Sequence, residues 1–259
     1  MSHLRAAGDP FDQFLAGLAS DVPGPRSDAP PWFTQVATAL FDGQDPAVSK
    51  EWARRLYEHV ERLGGNVPFR VVHDWHAHVV GPMLAEASER CGTDPGVQHA
   101  LQRLHARALA GDPVTEAEWQ ATLGPAFQQV YRHAYAYAEA FATAHTNAYA
   151  YAIANGFDEP SAVKYGEDYA KLSTPANQRS YADANALANA KAVAAAYAAG
   201  NSEAYAEAYP SAYVYVYAHA WANQGAAAAA AGTNERREEA YRRLADGWID
   251  TMGRTAGSR

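Results

Sequence analysis

Two hydrophobic rhythms run along this chain. In the first half, apolar residues recur at spacings of three and four in short blocks separated by Gly and Pro, the pattern of amphipathic helices. Phe11, Phe14, Leu15 and Leu18 share one face behind Asp9-Pro10. After a Pro- and Gly-rich loop at 22–31, Trp32, Phe33, Val36 and Leu40 form a second stripe that Gly43 ends. Asp45-Pro46 opens a third, with Val48, Trp52, Leu56, Val60 and Leu63 inward, closed by Gly64-Gly65. A fourth opens at 66–68 and passes Trp75 and Val79 to Pro82, whose missing N–H predicts a kink opposite the His78 carbonyl. Asp94-Pro95 opens a fifth, with Val97, Leu101, Leu104 and Ala108 inward, ending at Gly111. Thr115 and Glu118 then have the spacing of a capping box, with Val114 placed to staple against Trp119, and Gly124-Pro125 predicts a break or kink beyond it.

The second rhythm begins near His133. From there to Ile153 alanine alternates with larger residues, which imitates the period of a strand. Alanine is the best helix former and is depleted in sheets, and a strand of that length would be unusual, so a helix is expected. Wound as a helix, the alternation makes two i, i+4 stripes, one through His133, Tyr137, Phe141, His145 and Tyr149, the other through Tyr135, Glu139, Thr143 and Asn147. Each i+4 step turns by about 40° around the axis, so neither stripe keeps to one face. Neighbours on several sides are expected, with alanines letting backbones come close.

The motif returns. Ala136-Tyr137-Ala138-Glu139 lines up with Ala204-Tyr205-Ala206-Glu207, 68 residues later, suggesting either a repeat (131–156 and 203–225) or convergent bias in alanine-rich helices. Between the copies, Asp158 to Pro160 predicts a short helix, and Thr174-Pro175 the cap of a long one ending at Gly200. Pro210 should kink or split the segment from Ser202 to Ala231, and Tyr213 to Tyr217 leaves a strand as the minor alternative. A last helix capped at Thr233 buries Tyr241, Leu244 and Trp248 and is expected to end near Gly253. The pattern thus predicts an all-α, multi-helix bundle. Its expected organisation is an N-terminal helical region at 1–112, an alanine/tyrosine-rich bundle at 113–253 integrated with it, and a tail at 254–259.

Composition narrows the functional classes. With a net charge of −8, no basic stripe is available for nucleic acid or an anionic membrane. The arginines at 236, 237, 242 and 243 interleave with Glu235, Glu238 and Glu239 and read as a salt-bridged solvent face. A lone Cys91 rules out an intrachain disulfide and a Cys-rich zinc site. Met1 to Arg5 carries no apolar signal region and no run of about 18 apolar residues exists, so a cytoplasmic protein is expected.

No phosphate loop, dinucleotide fingerprint or metalloprotease motif is present, and no cofactor or metal is expected. The most metal-like string is His73-Asp74-Trp75-His76-Ala77-His78. Its His-Asp pair resembles that of the HD-type metal phosphohydrolases over those two residues alone. Since Asp74 and His78 share one helix face while His73 and His76 share another, a hydrated face with an Asp–His pair is expected.

The alanine/tyrosine region carries the remaining chemistry. Glu139, His145, Asp183, Asn185, Asn189, Lys191, Glu207 and His219 lie there among aromatics, and fourteen of the sixteen tyrosines fall between Tyr131 and Tyr217. Buried polar groups need partners, and tyrosine hydroxyls can supply them in a structural network. The functional reading is a polar-floored, aromatic-walled pocket for a small organic ligand. In it Glu139 or Glu207 would be the general base, His145 or His219 the acid, with Tyr137, Tyr149, Asp183, Asn185, Asn189, Lys191, Tyr205 and Tyr213 as binding groups. Asn185 and Asn189 stand in an i+4 row behind Tyr181, suited to a carbonyl or amide. The leading expectation is a small-molecule enzyme of lyase, cyclase or isomerase type without a redox cofactor. Its alternatives are a protein that binds and sequesters a small molecule, as in self-resistance, and a helical interaction protein; homo-oligomers are compatible with all three.

Overall fold

The computed structural model describes residues 29–135, 137–223 and 233–257, apart from the side chains of 137–139 and 257. The expected helix at Phe11–Leu18 and the end of the segment expected from Ser202 to Ala231 lie outside them. The described residues form helices and turns with no strand, an all-α multi-helix fold.

The first stripes become α1 (Pro31–Asp42) and α2 (Pro46–Arg62), the latter capped by Asp45, whose carboxylate accepts from the Ala47 N–H at 2.7 Å. Val48, expected inward, is exposed in the first turn of α2, and the buried stripe begins at Ser49 and Trp52. Both helices pack on α11 (Thr233–Gly257). Trp248 of α11 is the hub: Trp32 and Trp75 meet it edge-on with ring centroids at 6.1 and 4.9 Å, and Phe33 stacks on it. The buried indoles of Trp52 and Trp75 donate to the carbonyls of Ala245 and Leu244, so these rings bring no unpaired N–H into the core. Gly247 permits the close crossing here, since a Cβ would stand 2.5 Å from the Val79 side chain and force it to shift.

Val79 belongs to an unusual turn. Between α3 (Arg70–Trp75) and α4 (Gly81–Arg90), residues His76–Val80 form a π-helix. The expected kink at Pro82 is therefore taken up as a widened turn: Pro82 has no N–H to give the His78 carbonyl, and the extra residue absorbs the mismatch. Next come α5 (Gly96–Ala110) and α6 (Glu116–Ala134), whose first turn carries the Thr115–Glu118 capping box as read from the sequence. The break expected at Gly124-Pro125 does not occur. Pro125 and Ala121, whose carbonyl it leaves unbonded, are exposed, and water can serve the freed group.

The same reasoning corrects the reading of Pro175. A short helix was expected after Asp158 and a separate cap at Thr174, but one 41-residue helix, α8 (Glu159–Ala199), spans both. Pro175 lies on its exposed side. On the other side Ala162, Gly166, Ala170, Thr174, Ala182, Ala186 and Ala190 are buried against α7 (Tyr137–Ala154) and α6, which splint the helix across the proline. Tertiary packing outweighs the local stop signal. Beyond Gly200 follow the short α9 (Ser202–Glu207), α10 (Pro210–Ala222), in which Tyr213 to Tyr217 are helical, and α11.

The two similar sequence stretches take different shapes. The earlier copy, 131–156, is not the single helix expected from His133 to Ile153: α6 ends at Ala134, Tyr135 is extended, and α7 starts at Tyr137, while the later copy breaks at Tyr209-Pro210 into α9 and α10. The last helix continues past Gly253 because Arg254 is clamped by Asp74, donating from Nη2 at 2.7 Å and from Nε at 3.1 Å, and Thr255 is buried. No described helix is long and apolar enough to cross a membrane.

Candidate functional site

Between α7 and α10, over a floor of α6 and α8, lies a cleft of about 1030 Å3. Its floor follows from four-residue spacing on α8. Asn177, Tyr181, Asn185 and Asn189 form one row, each step rising about 6 Å along the axis, and all four line the cleft. Gln178 borders the row, and Tyr131 and Tyr135 face it from the end of α6. Thr143 and Asn147 come from α7; Tyr209, Tyr213 and Tyr215 come from the α10 side. No Asp, Glu, Lys, Arg or His is among the described lining residues.

Several of these groups are already oriented by hydrogen bonds. Asn189 Nδ2 donates to the Tyr131 hydroxyl at 2.6 Å, Asn185 Nδ2 to the Tyr181 carbonyl at 2.8 Å, and Gln178 Nε2 to the Tyr135 carbonyl. Each amide thus keeps its side-chain oxygen and one N–H for another partner. Tyr135 and Tyr181 pack with ring centroids 4.4 Å apart. Tyr213 is deeply buried, its hydroxyl has no partner among the described residues, and desolvation raises its pKa. The cleft therefore offers fixed amides, phenol faces and neutral hydroxyls.

The expected site residues separate. Asn185, Asn189 and Tyr213 line the cleft. Asp183 lies beside it, paired with Arg132 at 2.7 Å, and Lys191 is exposed. Tyr205 is buried in the main core against Tyr197, Phe69 and Trp32. His145 stacks between Phe141 and Tyr149 on α7. Glu207 is exposed, while His219 is buried, stacked on Tyr215 at 3.6 Å and donating from Nδ1 to the Tyr215 carbonyl. None of His145, Glu207 and His219 lines the cleft, and the structure does not bring them together there. The side chains of Tyr137 and Glu139 lie outside the described residues; by register, position 139 stands one turn before Thr143 on the same row of α7.

A second polar cluster was not foreseen. The string His73 to His78 was expected to be a hydrated face, but His73, Asp74 and His76 are buried. The Asp74–His78 pair does form, at 2.7 Å. His73 Nδ1 lies 3.1 Å from His105 Nδ1, and His105 stacks on His76 with centroids at 4.4 Å. Trp119 and Tyr197 close around them. The signal for His105 was present in the sequence, one turn after Leu101 on the inward stripe of α5. Desolvation lowers the pKa of His73 to about 4, and desolvation with the neighbouring His73 lowers that of His76 to about 3. His105 is lowered too, again chiefly by burial. All three are neutral near pH 7. The His76 and His105 rings are within 15° of parallel, a stacking geometry rather than one that converges lone pairs, and among the described residues no group of three or more His, Cys, Asp or Glu could hold a metal ion.

The fold and cleft thus define an all-α protein with a recess lined, among the described residues, by tyrosines, amides and alanines. Comparison with known proteins finds no matching family model, no similar curated protein and no similar solved structure.

Proposed function

We propose that this chain is a small-molecule binding protein and that the cleft between α7 and α10 is its binding site. The observation that carries the reading is the lining: a recess of about 1030 Å3 with tyrosine walls and a floor of amides already held by internal hydrogen bonds. Mixed aromatic and polar linings of this size suit an organic ligand. Amides fixed before binding lose little conformational freedom when a ligand arrives. The acid–base groups expected for a lyase or isomerase, as far as their side chains are described, point to no shared reacting position, which favours holding a ligand over transforming it.

A fragment screen by ligand-observed NMR, with thermal denaturation in parallel, tests the proposal. Fragments that bind in the cleft should raise the melting temperature, with stabilisation of about 2.7 kcal/mol at a hundredfold excess over Kd. Replacing Asn185 and Asn189 by Leu should abolish that shift while the chain still melts cooperatively. If no fragment binds, or if bound fragments are indifferent to both changes, the proposal is wrong. Chemical conversion of a bound fragment, detected by mass spectrometry, would return the protein to the enzymes.

A further inference from the structure

Tyr209 is the one described non-glycine residue with positive φ, at 54°. It joins α9 to α10: its N–H donates to the Ala206 carbonyl at 3.1 Å, and its own carbonyl accepts from the Ala212 N–H at 3.0 Å. The following Pro210 explains why the residue before it avoids the right-handed helical region. It does not explain why that residue is tyrosine. Gly or Asn adopts this conformation with far less strain, and a bulky side chain there is an outlier. Packing gives no compensation either, because the side chain is 70% exposed and neither its ring nor its hydroxyl has a partner among the described residues. Yet Tyr209 lines the cleft. Strained backbone positions of this kind cluster at active sites and ligand clamps.

We infer that Tyr209 is the ring that closes over the ligand, and that what it covers is an uncharged aromatic group. The inference rests on the cleft being a binding site. The charge assignment follows from the described lining, whose phenols, amides, alanines, Thr143 and Val216 hold no ion to compensate a buried charge; a Glu139 carboxylate reaching the cleft would favour a cation instead, which the cationic arm of the test reads. The aromatic assignment follows from the phenol faces of Tyr135, Tyr181 and Tyr209, which reward a flat π-surface laid on or edge against them. The oxygens of Asn185, Asn189 and Gln178 accept no hydrogen bond within the described residues, so the ring's N–H or O–H groups would meet acceptors there.

The test uses four indoles with one ring and different charge: indole-3-acetamide and tryptophol (neutral), tryptamine (cationic) and indole-3-acetate (anionic). Binding to the full chain is measured by titration calorimetry, with NMR of 13C-labelled tyrosines to place it in the cleft. The expected result is that both neutral indoles bind at least tenfold more tightly than either charged one. The Tyr209→Asn and Tyr209→Gly variants should lose at least tenfold in affinity without a fall in melting temperature, and Tyr209→Phe should retain affinity. A charged indole that binds in the cleft as tightly as the neutral ones would overturn the ligand class but leave the binding site standing. Unchanged affinity in Tyr209→Asn, or a lowered melting temperature in it, would show Tyr209 to be only a turn residue. Failure of all four indoles to shift any cleft tyrosine overturns the inference; a fragment of another class binding there would then uphold the binding site alone.

Discussion

The histidines at 73, 76 and 105 show how far burial alone can set a residue's behaviour. The close approach of the two Nδ1 atoms at 3.1 Å requires one ring to donate and the other to accept, so both cannot be protonated in place. Nε2 of His76 and Nε2 of His105 have no partner among the described residues, which makes a charge on either ring costlier still. The unfolded chain titrates these rings near the ordinary value of 6.5, whereas folded His73 waits until about pH 4 and His76 until about pH 3. Between those limits the unfolded state binds protons that the folded state refuses, so stability falls as pH drops below 6.5; above it neither state is charged and the effect vanishes. At about 1.4 kcal/mol per pKa unit, His73 alone contributes a loss on the order of 3 kcal/mol by pH 4. Urea unfolding measured from pH 8 to pH 4.5 should therefore give a level free energy down to about pH 6.5 and a steep decline below it. A profile level throughout that range would mean that the histidines are hydrated in solution. Asp74 acts at the same scale but through geometry: it accepts from both His78 and Arg254, and Asp74→Asn should weaken the hold on the end of α11 by about 1–2 kcal/mol. Chemical denaturation reads that loss, and protection from hydrogen exchange around Thr251 to Thr255 should drop with it.

At the scale of elements, the hairpin of α7 and α8 is held by very small groups. Ala148 and Ala152 of α7 and Ala162 and Ala170 of α8 are buried, and Gly166 lies so close to α7 that a Cβ would stand 3.1 Å from both the ring and the carbonyl of His145. Small residues permit close backbones but bury little apolar area per contact, so α7, which packs chiefly on α8, should open more readily than α10. Its outer side, with Tyr151 and Tyr165 stacked in the open, adds little. Gly166→Leu should push the pair apart at a cost of about 1–3 kcal/mol. Hydrogen exchange would show the loss in α7 and the first half of α8, with α10 and α11 unaffected; equal loss everywhere would mean that the hairpin and the rest unfold as one unit. Pro175 gives the opposite sign. It interrupts the bonding of an exposed helix stretch, so Pro175→Ala should stabilise α8 by about 1–3 kcal/mol, visible as a higher melting temperature.

Over the whole molecule, what could be read from sequence was whatever depended on neighbours in the chain. The stripes of α1, α2 and α5, the Thr115–Glu118 box and the helical nature of the alanine/tyrosine region all rest on spacing or propensity. What escaped depended on distant partners: Pro125 and Pro175 pass inside helices because packing splints them, and His73 becomes a core residue because α5 delivers His105 to it. The cleft divides in the same way. Its floor was partly legible, since Asn185 and Asn189 share a row with Tyr181, but Tyr209 and Thr143 join it only through the meeting of separate helices. That division has a consequence for dynamics. One wall of the cleft is α7, anchored mainly to α8, and the other is α10, which packs on α1, α4, α6 and α11. A ligand spanning the cleft would tie the loosely held wall to the firmly held one, and its binding energy would add to the cost of opening α7. Hydrogen exchange with saturating indole-3-acetamide should therefore slow most in α7, although most of the described amide side chains lining the cleft belong to α8. Protection that rose only along Asn177 to Asn189 would instead describe a ligand lying on α8 without bridging the walls, and Tyr209 would then have nothing to close upon.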